Sequence, residues 1–458
     1  MKNLNNKILL INPVTRNNVR VLRVERCQQK VLPNVGVWPP ITLLEIAAYL
    51  RSKGFSDIEI IDGEAERLSF DALISVSREK NPALVVLQAT TPTIEDDLEF
   101  SLRIKKALPE AVMVFIGLHA TAFPQDLLGH EQIDYAVTGE PEVVVSELAE
   151  YCLKQTGDRS LIKGLAYKDS GKIRVNERAG QRDTYDYPLL PDRSLLKNNL
   201  YVMALTGKPF TVIKVSRGCD FQCPFCTSGA YYGRGWRARS PENIVAEIID
   251  AKERHGLDTF MFLSDTFNNK SEFVDKLSSL IIEKKLNIRW VSNSRVDLVN
   301  EKSVGLMKKA GCMLVSLGIE SFDEEVLSKN RKHMDRAAIK RAIEIFKNNG
   351  ILTYGYFILG LEGETRSSMV KTISLAGKSK LDFAIFYSLT PYPGTDYFDR
   401  HKISSWSSYF HGISDIVEYK GLSKKTIKLY RKLALILFYG RPRRLFSLVK
   451  FFLRGKVC

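Results

Sequence analysis

"RGCDFQCPFCTSG", residues 217–229, places Cys219, Cys223 and Cys226 on one short stretch with Gly218, Pro224 and Gly229, residues that bend a chain rather than fill a core. Thiolates separated by three and then two residues on such a loop can converge on three corners of a cubane cluster. A structural zinc ion is the competitor, but it wants four closed ligands, usually as two Cys/His pairs. No second pair lies nearby, and the nearest histidine, His255, ends a helical pattern. Iron–sulfur clusters are held by cysteine thiolates, normally four. Three cysteines therefore point to an iron–sulfur cluster with one iron left for a cofactor or substrate.

Outward from the loop, the surrounding 190 or so residues alternate between strand and helix patterns. Strands are expected at 210–218, 259–265, 288–295, 313–321, 352–360 and 383–391. Between them lie helical stretches such as "PENIVAEIIDAKERHG" (241–256) and "RAAIKRAIEIFKNNG" (336–350), the latter closed by a glycine. Six such units predict a partial barrel whose chemistry sits at the carboxyl ends of its strands. The thiol loop follows the first strand and so belongs at that mouth.

The first 150 residues carry a separate series. "KILLINPV" (7–14), "DIEIIDG" (57–63), "PALVVLQATT" (82–91) and "AVMVFIGLHAT" (111–121) read as strands, and "ITLLEIAAYLRSKG" (41–54) as an amphipathic helix. This alternation predicts a doubly wound parallel sheet that binds its ligand beyond the strand ends. Small and polar residues occupy those ends, including Thr90, Thr91 and the run Gly117–Thr121. A hairpin turning at Asp169–Ser170–Gly171 and a proline-punctuated stretch make residues 151–205 a connector.

In composition the 458-residue chain, 45% hydrophobic and 26% charged, is that of a globular protein. No opening signal peptide is recognisable, and no uncharged apolar run is long enough to span a bilayer. Seven cysteines, three clustered and four scattered, do not form a secreted disulfide framework, so a cytoplasmic setting is expected. The net charge of +15 is uneven: residues 420–458 hold twelve Lys or Arg and no Asp or Glu. The rest of the chain is close to neutral, which takes away much of the support for a nucleic-acid-binding groove.

The Cys-x3-Cys-x-aromatic-Cys loop after the first strand of a βα series resembles the radical S-adenosylmethionine (SAM) superfamily. That resemblance implies a 4Fe-4S cluster held by Cys219, Cys223 and Cys226, with SAM on the open iron. By the same resemblance "LSDTFN" assigns Ser264 and Asp265 to the SAM amino group, and "SNSRVD" and "SLGIES" assign Ser294, Arg295 and Glu320 to ribose and carboxylate. The backbone of Phe225 would meet adenine. "GYFILGLEGET" and "TPYPGTDYF" resemble the fifth and sixth strand motifs, with Leu361–Glu362 where relatives often carry a proline.

The amino-terminal series resembles the cobalamin-binding subgroup of these enzymes. "IGLHATAFPQDLL…DYAVTGEPE" (116–142) is similar to its Gly-Gly-x-His-Ala-Thr … Gly-Glu pattern, with Ile116 in place of the first glycine. Thr90, Thr91, Gly117, His119, Thr121, Gly139 and Glu140 are the implied cobalamin residues. The chain lacks Asp-x-His-x-x-Gly, so no histidine is supplied to cobalt through that motif, and His119 reads more readily as a structural hydrogen-bonder. A methylthiotransferase needs three cysteines in this region, where only Cys27 and Cys152 occur.

Together these readings predict a cobalamin-binding domain (1–150), a connector (151–205), a partial (βα)6 radical SAM barrel (206–400) and a basic helical carboxyl-terminal region (401–458). The implied activity is methylation of an unactivated carbon by way of a 5′-deoxyadenosyl radical and methylcobalamin. Cyclisation, rearrangement or oxidation without methyl transfer is the alternative within the enzyme class, and a cobalamin or redox sensor the alternative outside it. No general acid or base stands out. The implied partners are a small-molecule or lipid-like substrate and an electron donor such as flavodoxin or ferredoxin.

The tail "TIKLYRKLALILFYGRPRRLFSLVKFFLRGK" (426–456) is divided by Pro442, and in its second piece Leu445, Leu448, Val449 and Phe452 share a face. Two readings stand level, peripheral membrane association through residues 420–458 or a helix packed on the side of the barrel, with RNA binding a third for which no recognised RNA module is present.

Overall fold

The run Ile8–Asn12 (β1) is buried at all five positions, a pattern suited to a parallel strand covered on both faces. The computed structural model of the chain describes residues 6–24, 27–31, 36–179, 186–398, 405–410, 418, 421–442 and 444. Two compact units emerge: Met1–Tyr201 with Ala230–Gly233 and Ser404–Ser407, and Val202–Gly229 with Arg234–Ile403 and Ser408–Cys458.

In the first unit, β1 is followed by a short antiparallel hairpin, β2 (Val21–Val24) and β3 (Cys27–Lys30). Next come β4 (Ile58–Asp62), β5 (Leu84–Gln88), β6 (Val112–Ile116), β7 (Tyr135–Val137), β8 (Leu165–Asp169) and β9 (Lys172–Val175). The sheet order is β4-β1-β5-β6-β7-β8-β9, parallel through β7. The direction of strand order reverses at β1 and β5, the kind of switch point where doubly wound sheets bind ligands. The stretch read as a connector does not stand apart from this unit. Its hairpin, turning at Ser170 (φ 48°) and Gly171 (φ 79°), extends the sheet antiparallel from β7 because Leu165–Tyr167 are buried against it.

The β2–β3 hairpin, which the sequence did not announce, is fixed over the strand ends by buried polar groups. The Arg23 guanidinium pairs with Asp97 at 2.9 Å, both side chains fully buried, and also donates to the Gln88 carbonyl. Glu64 accepts from the Val21 amide, and burial pushes its carboxyl up from 4.5 to about 7, with the Arg23 charge opposing. Between those two values the folded chain holds a proton that the unfolded chain releases, so stability falls as pH rises through that window, by roughly 3 kcal/mol in full. In Glu64→Gln this loss is absent. Thermal melts from pH 5 to pH 8 are expected to show a shallower fall in Tm for the variant, and parallel curves would refute the assignment.

In the second unit, β10 (Val202–Met203) pairs with β11 (Lys208–Pro209) ahead of β12 (Thr211–Lys214). The short strands β13 (Ser216–Arg217) and β14 (Arg237–Ala238) pair across the base of the cysteine loop. Then follow β15 (Thr259–Leu263), β16 (Arg289–Arg295), β17 (Cys312–Glu320), β18 (Leu352–Leu359) and β19 (Phe383–Ser388). The order is β12-β15-β16-β17-β18-β19 and every pairing is parallel, giving the open six-stranded barrel wall. Burial alternates along β18: Phe357 enters the core shared with helix residues Ile339, Ile343 and Phe346, while Tyr354, Tyr356 and Ile358 are half-exposed on the opposite, concave face.

Strand β19 is the edge of this sheet, and helix Lys424–Tyr439 covers it. Ala434 and Phe438 join the unit's core, and the Tyr439 hydroxyl accepts from the Ala384 amide (3.0 Å) and donates to its carbonyl (2.8 Å). The outward amide and carbonyl of Ala384 on the edge strand are thereby satisfied. For this half of the tail the packed reading describes what is seen. The second half, with Leu445, Leu448, Val449 and Phe452, lies outside the described residues. Among the described residues no helix is long and apolar enough to cross a membrane.

Candidate cluster and cofactor sites

The cysteine loop is held open by its own polar residues. Gly218 takes φ 72° and donates its amide to Asp265 Oδ2 at 2.8 Å, tying the loop to the end of β15. Asp220 accepts from the Trp236 amide and from Asn269 Nδ2. A turn at Cys223–Cys226 (amide to carbonyl, 3.1 Å) brings the last thiol back toward the first two. Cys219, Cys223 and Cys226 are all unbridged and half-exposed.

Positive charge faces these thiols. Arg295, at the end of β16, lies with Nη1 3.9 Å from Cys223 Sγ and its guanidinium carbon 3.5 Å from the centre of the Phe221 ring. Asp297 grips the other side of that guanidinium with two bonds of 3.0 and 2.9 Å. Burial pushes the Cys223 thiol up, and the charges of Lys332 and Arg295 act against it. Thr266 Oγ1 lies 3.1 Å from Cys219 Sγ. Among the described residues no three His, Cys, Asp or Glu side chains gather tightly enough to share a single ion. A cubane instead spreads three thiolates over three irons. The three thiols with their adjacent cations suit an anionic cluster.

At the end of β17, Glu320 takes the left-handed φ of 66°, a conformation costing a non-glycine residue about 1–3 kcal/mol. Its carboxylate receives the Lys332 ammonium at 2.6 Å, both side chains nearly buried. Gly318 makes room for the pair: a Cβ there would lie 3.0 Å from Glu320 Oε1 and 3.2 Å from Lys332 Nζ.

Of the residues assigned to SAM, Asp265, Arg295 and Glu320 are thus joined to the cysteine loop or its neighbouring charges. Ser264 is buried, hydrogen-bonded to Ser216 and to the Thr266 amide. Phe225 packs against the small apolar cluster of Val326, Leu361, Leu389 and Tyr397. Ser294 is not brought to the loop. Like Trp290 and Ser292 it points to the helix layer, where its unpartnered hydroxyl lines a small cavity with Val274, Val304, Met307 and Phe346. The concave-facing neighbour is Asn293, whose amide donates to the Asp265 carbonyl at 3.1 Å. Period-two alternation along β16 is the signal that separates Asn293 from Ser294. Thr266 and Phe221 lie inside the quoted motifs without a role assigned to them, and Lys332 lies outside every one; their contacts become visible only in the folded chain.

In the first unit, the residues assigned to cobalamin gather at the ends of β5, β6 and β7. Thr90 donates its amide to Asp97 and exchanges a hydroxyl bond of 2.7 Å with Thr93. The Thr91 amide donates to Gln28 Oε1, and its hydroxyl lies 3.4 Å from His119 Nδ1. Gly117 takes φ 108° where an added Cβ would lie 2.5 Å from the Ala89 carbonyl oxygen, so glycine is required. Thr121 Oγ1 accepts the Gly139 amide at 2.9 Å, linking the β6 and β7 loops, and Glu140 opens the helix Pro141–Lys154. His119 is 3% exposed, with Phe123 and Trp406 rings 5.2 and 5.0 Å away, and burial pulls its imidazole down to about 3. Burial thus disfavours the charged form of this enclosed ring. Thr90, Thr91, Gly117, His119, Thr121 and Gly139 are all buried, and Gly117 is glycine because its backbone passes the Ala89 carbonyl too closely for a side chain; what these strand ends share with a corrin site is small residue size.

Comparison with known proteins places these arrangements. Residues 213–376 match the radical SAM superfamily and residues 33–149 the B12-binding domain. An uncharacterised methyltransferase of Pyrococcus horikoshii is 33% identical over 447 residues, 95% of this chain and 93% of that protein. An anaerobic magnesium-protoporphyrin IX monomethyl ester cyclase of Rubrivivax gelatinosus is 32% identical over 376 residues, 80% of this chain and 66% of that protein. The fold is similar to that of the radical SAM methyltransferase TsrM of Kitasatospora setae, solved with cobalamin and a [4Fe-4S] cluster. The TM-score is 0.70 at 19% identity, over 86% of this chain and 77% of that one.

Two measurements probe the geometry. Thr266→Val removes the hydroxyl beside Cys219, and since hydrogen bonds to cluster sulfur raise the potential, a redox titration followed by EPR is expected to give a lower midpoint at unchanged iron content. Lys332→Met leaves Glu320 buried without its cation and is expected to cost about 3–5 kcal/mol of stability. The double variant Lys332→Met/Glu320→Gln should recover much of that loss in denaturant melts; an additive double variant would show that the pair is not coupled.

Proposed function

The chain belongs to the cobalamin-binding radical SAM enzymes, and from that premise we infer that it is a methyltransferase acting on an unactivated carbon. The observation that carries this reading is the 33% identity, over nearly the whole of both chains, to a protein named as an uncharacterised methyltransferase. When bound, the 4Fe-4S cluster and SAM supply the 5′-deoxyadenosyl radical and cobalamin serves as methyl carrier.

The chain's own residues position these groups. Cys219, Cys223 and Cys226 hold the cluster on a loop anchored by Asp265. Arg295, kept rigid by Asp297 and Phe221, presents positive charge beside the cluster for the SAM carboxylate. Glu320, set at its angle by Lys332, accepts polar hydrogens of SAM, with Phe225 and Ser264 shaping the wall around it. Asn293 takes the place on β16 first given to Ser294. Thr90, Thr91, Gly117, Thr121, Gly139 and Glu140 would be the residues nearest the corrin, with His119 behind them, buried and bonded to Thr91. The substrate is a small molecule or a lipid-like one, the electron donor a flavodoxin or ferredoxin, and the setting the cytoplasm at a membrane surface reached through residues 420–458. The twelve basic and no acidic residues of that region support the last point.

The 32% identity to a cyclase favours one competing reading, radical oxidation or cyclisation without methyl transfer. Reduced, reconstituted enzyme incubated anaerobically with methyl-labelled SAM distinguishes them without knowledge of the substrate. Methyl transfer yields S-adenosylhomocysteine and label on the protein-bound cobalamin, together with 5′-deoxyadenosine that disappears when the three cluster cysteines are replaced by alanine. Deoxyadenosine with no S-adenosylhomocysteine supports the cyclase-like reading; neither product supports a sensor.

A further inference from the structure

Helix Lys424–Tyr439 presents three faces. Ile427, Ala434 and Phe438 are buried on the barrel side. Arg444, just beyond the helix, donates to the Phe438, Ala376 and Ser379 carbonyls and pins the packed end in place. A second face carries Leu429, Leu433, Ile436 and Leu437, spaced i, i+4, i+7 and i+8, which are 54, 38, 65 and 56% exposed. These four account for most of the large exposed apolar side chains on this helix and form one continuous stripe. The third face, alongside the stripe, bears the exposed Lys425, Lys428 and Lys432. Single exposed leucines are ordinary on a protein surface, but a continuous stripe on a helix already packed by its opposite side is the kind of patch that marks an interaction site.

We propose that this stripe is a docking face for an anionic lipid bilayer, the helix lying in the plane of the headgroups with its leucines at the acyl boundary. The proposal rests on the membrane reading given above and names the surface that makes the contact. Charge decides the occupant. The helix has five Lys or Arg and no acidic residue, and residues 420–458 continue the bias without one carboxylate. Such a surface repels a second copy of itself and is complementary to phosphatidylglycerol or phosphatidylserine headgroups. Because the barrel-side face is already occupied, the helix need not leave the barrel to bind, and the mouth of the strands would be held at a fixed height above the bilayer.

Sedimentation of the full chain with phosphatidylcholine vesicles, with and without phosphatidylglycerol, tests the proposal. Binding is expected only with the anionic lipid and should weaken with added salt. The variant Leu429→Ser/Leu433→Ser/Ile436→Ser/Leu437→Ser changes only exposed positions, so its Tm and iron content should match the parent while its vesicle-bound fraction drops about tenfold. A Lys425→Glu/Lys428→Glu/Lys432→Glu variant should lose binding as well. If the parent sediments with anionic vesicles and the serine variant does so equally, the stripe is not the contact, although the membrane reading survives. If the parent fails to sediment, both fall together. Should light scattering show concentration-dependent dimers that the serine variant abolishes, the face is a subunit interface and the proposal is wrong.

Discussion

A parallel strand register obliges every strand of a sheet to end on the same edge. In the second unit that single constraint collects, from positions far apart in sequence, the cysteine loop after β12, Asp265 after β15, Arg295 at the end of β16 and Glu320 at the end of β17. In the first unit it collects Thr90 and Thr91, Gly117 to Thr121, and Gly139 from three adjacent strands. No hydrophobic force selects those side chains. They are where they are because the strands beneath them are apolar, β-rich and uniformly oriented, with loops left to carry the chemistry.

Concentrating polar groups at one edge has a physical cost, and the chain meets it with buried pairings. Arg23 with Asp97 and Lys332 with Glu320 are ion pairs removed from water, and the unfavourable desolvation of each is offset by its partner and by added hydrogen bonds. Glu64 is only partly compensated, which is why its carboxyl holds a proton to about pH 7. Such pairs fix the geometry of the strand ends more than they add to stability. The bidentate bond from Asp297 to Arg295 illustrates the point: it aims a guanidinium at Cys223 that would otherwise have several rotamers available.

How much of this the sequence discloses depends on whether the signal is periodic, punctuated or three-dimensional. The six barrel strands and the helices Pro241–His255 and Arg336–Asn348 were legible because period and terminal glycine agree, Gly256 and Gly350 both taking φ of 66°. The three cysteines declare themselves by spacing alone. The β2–β3 hairpin was not legible, since Val21–Lys30 alternates weakly and derives its order from Asp97, Gln88 and Thr91, distant in sequence. On β16 a motif comparison chose Ser294 where the strand's own alternation turns Asn293 inward. Lys332 could not have been found from the sequence, because its only distinction is the partner that a twelve-residue excursion brings within 2.6 Å.

The basic tail shows how one segment can satisfy two demands at once. An edge strand needs a cover, and β19 obtains one from a helix whose Ala434, Phe438 and Tyr439 fit against it. Covering an edge uses roughly a third of a helix's circumference. The remaining surface is unconstrained by the fold, and a helix selected only for packing would carry mixed charges there, as Arg336–Asn348 does with Arg341 and Glu344. Helix Lys424–Tyr439 instead places apolar side chains beside lysines with no acid among them, so its outer composition follows from a requirement other than packing.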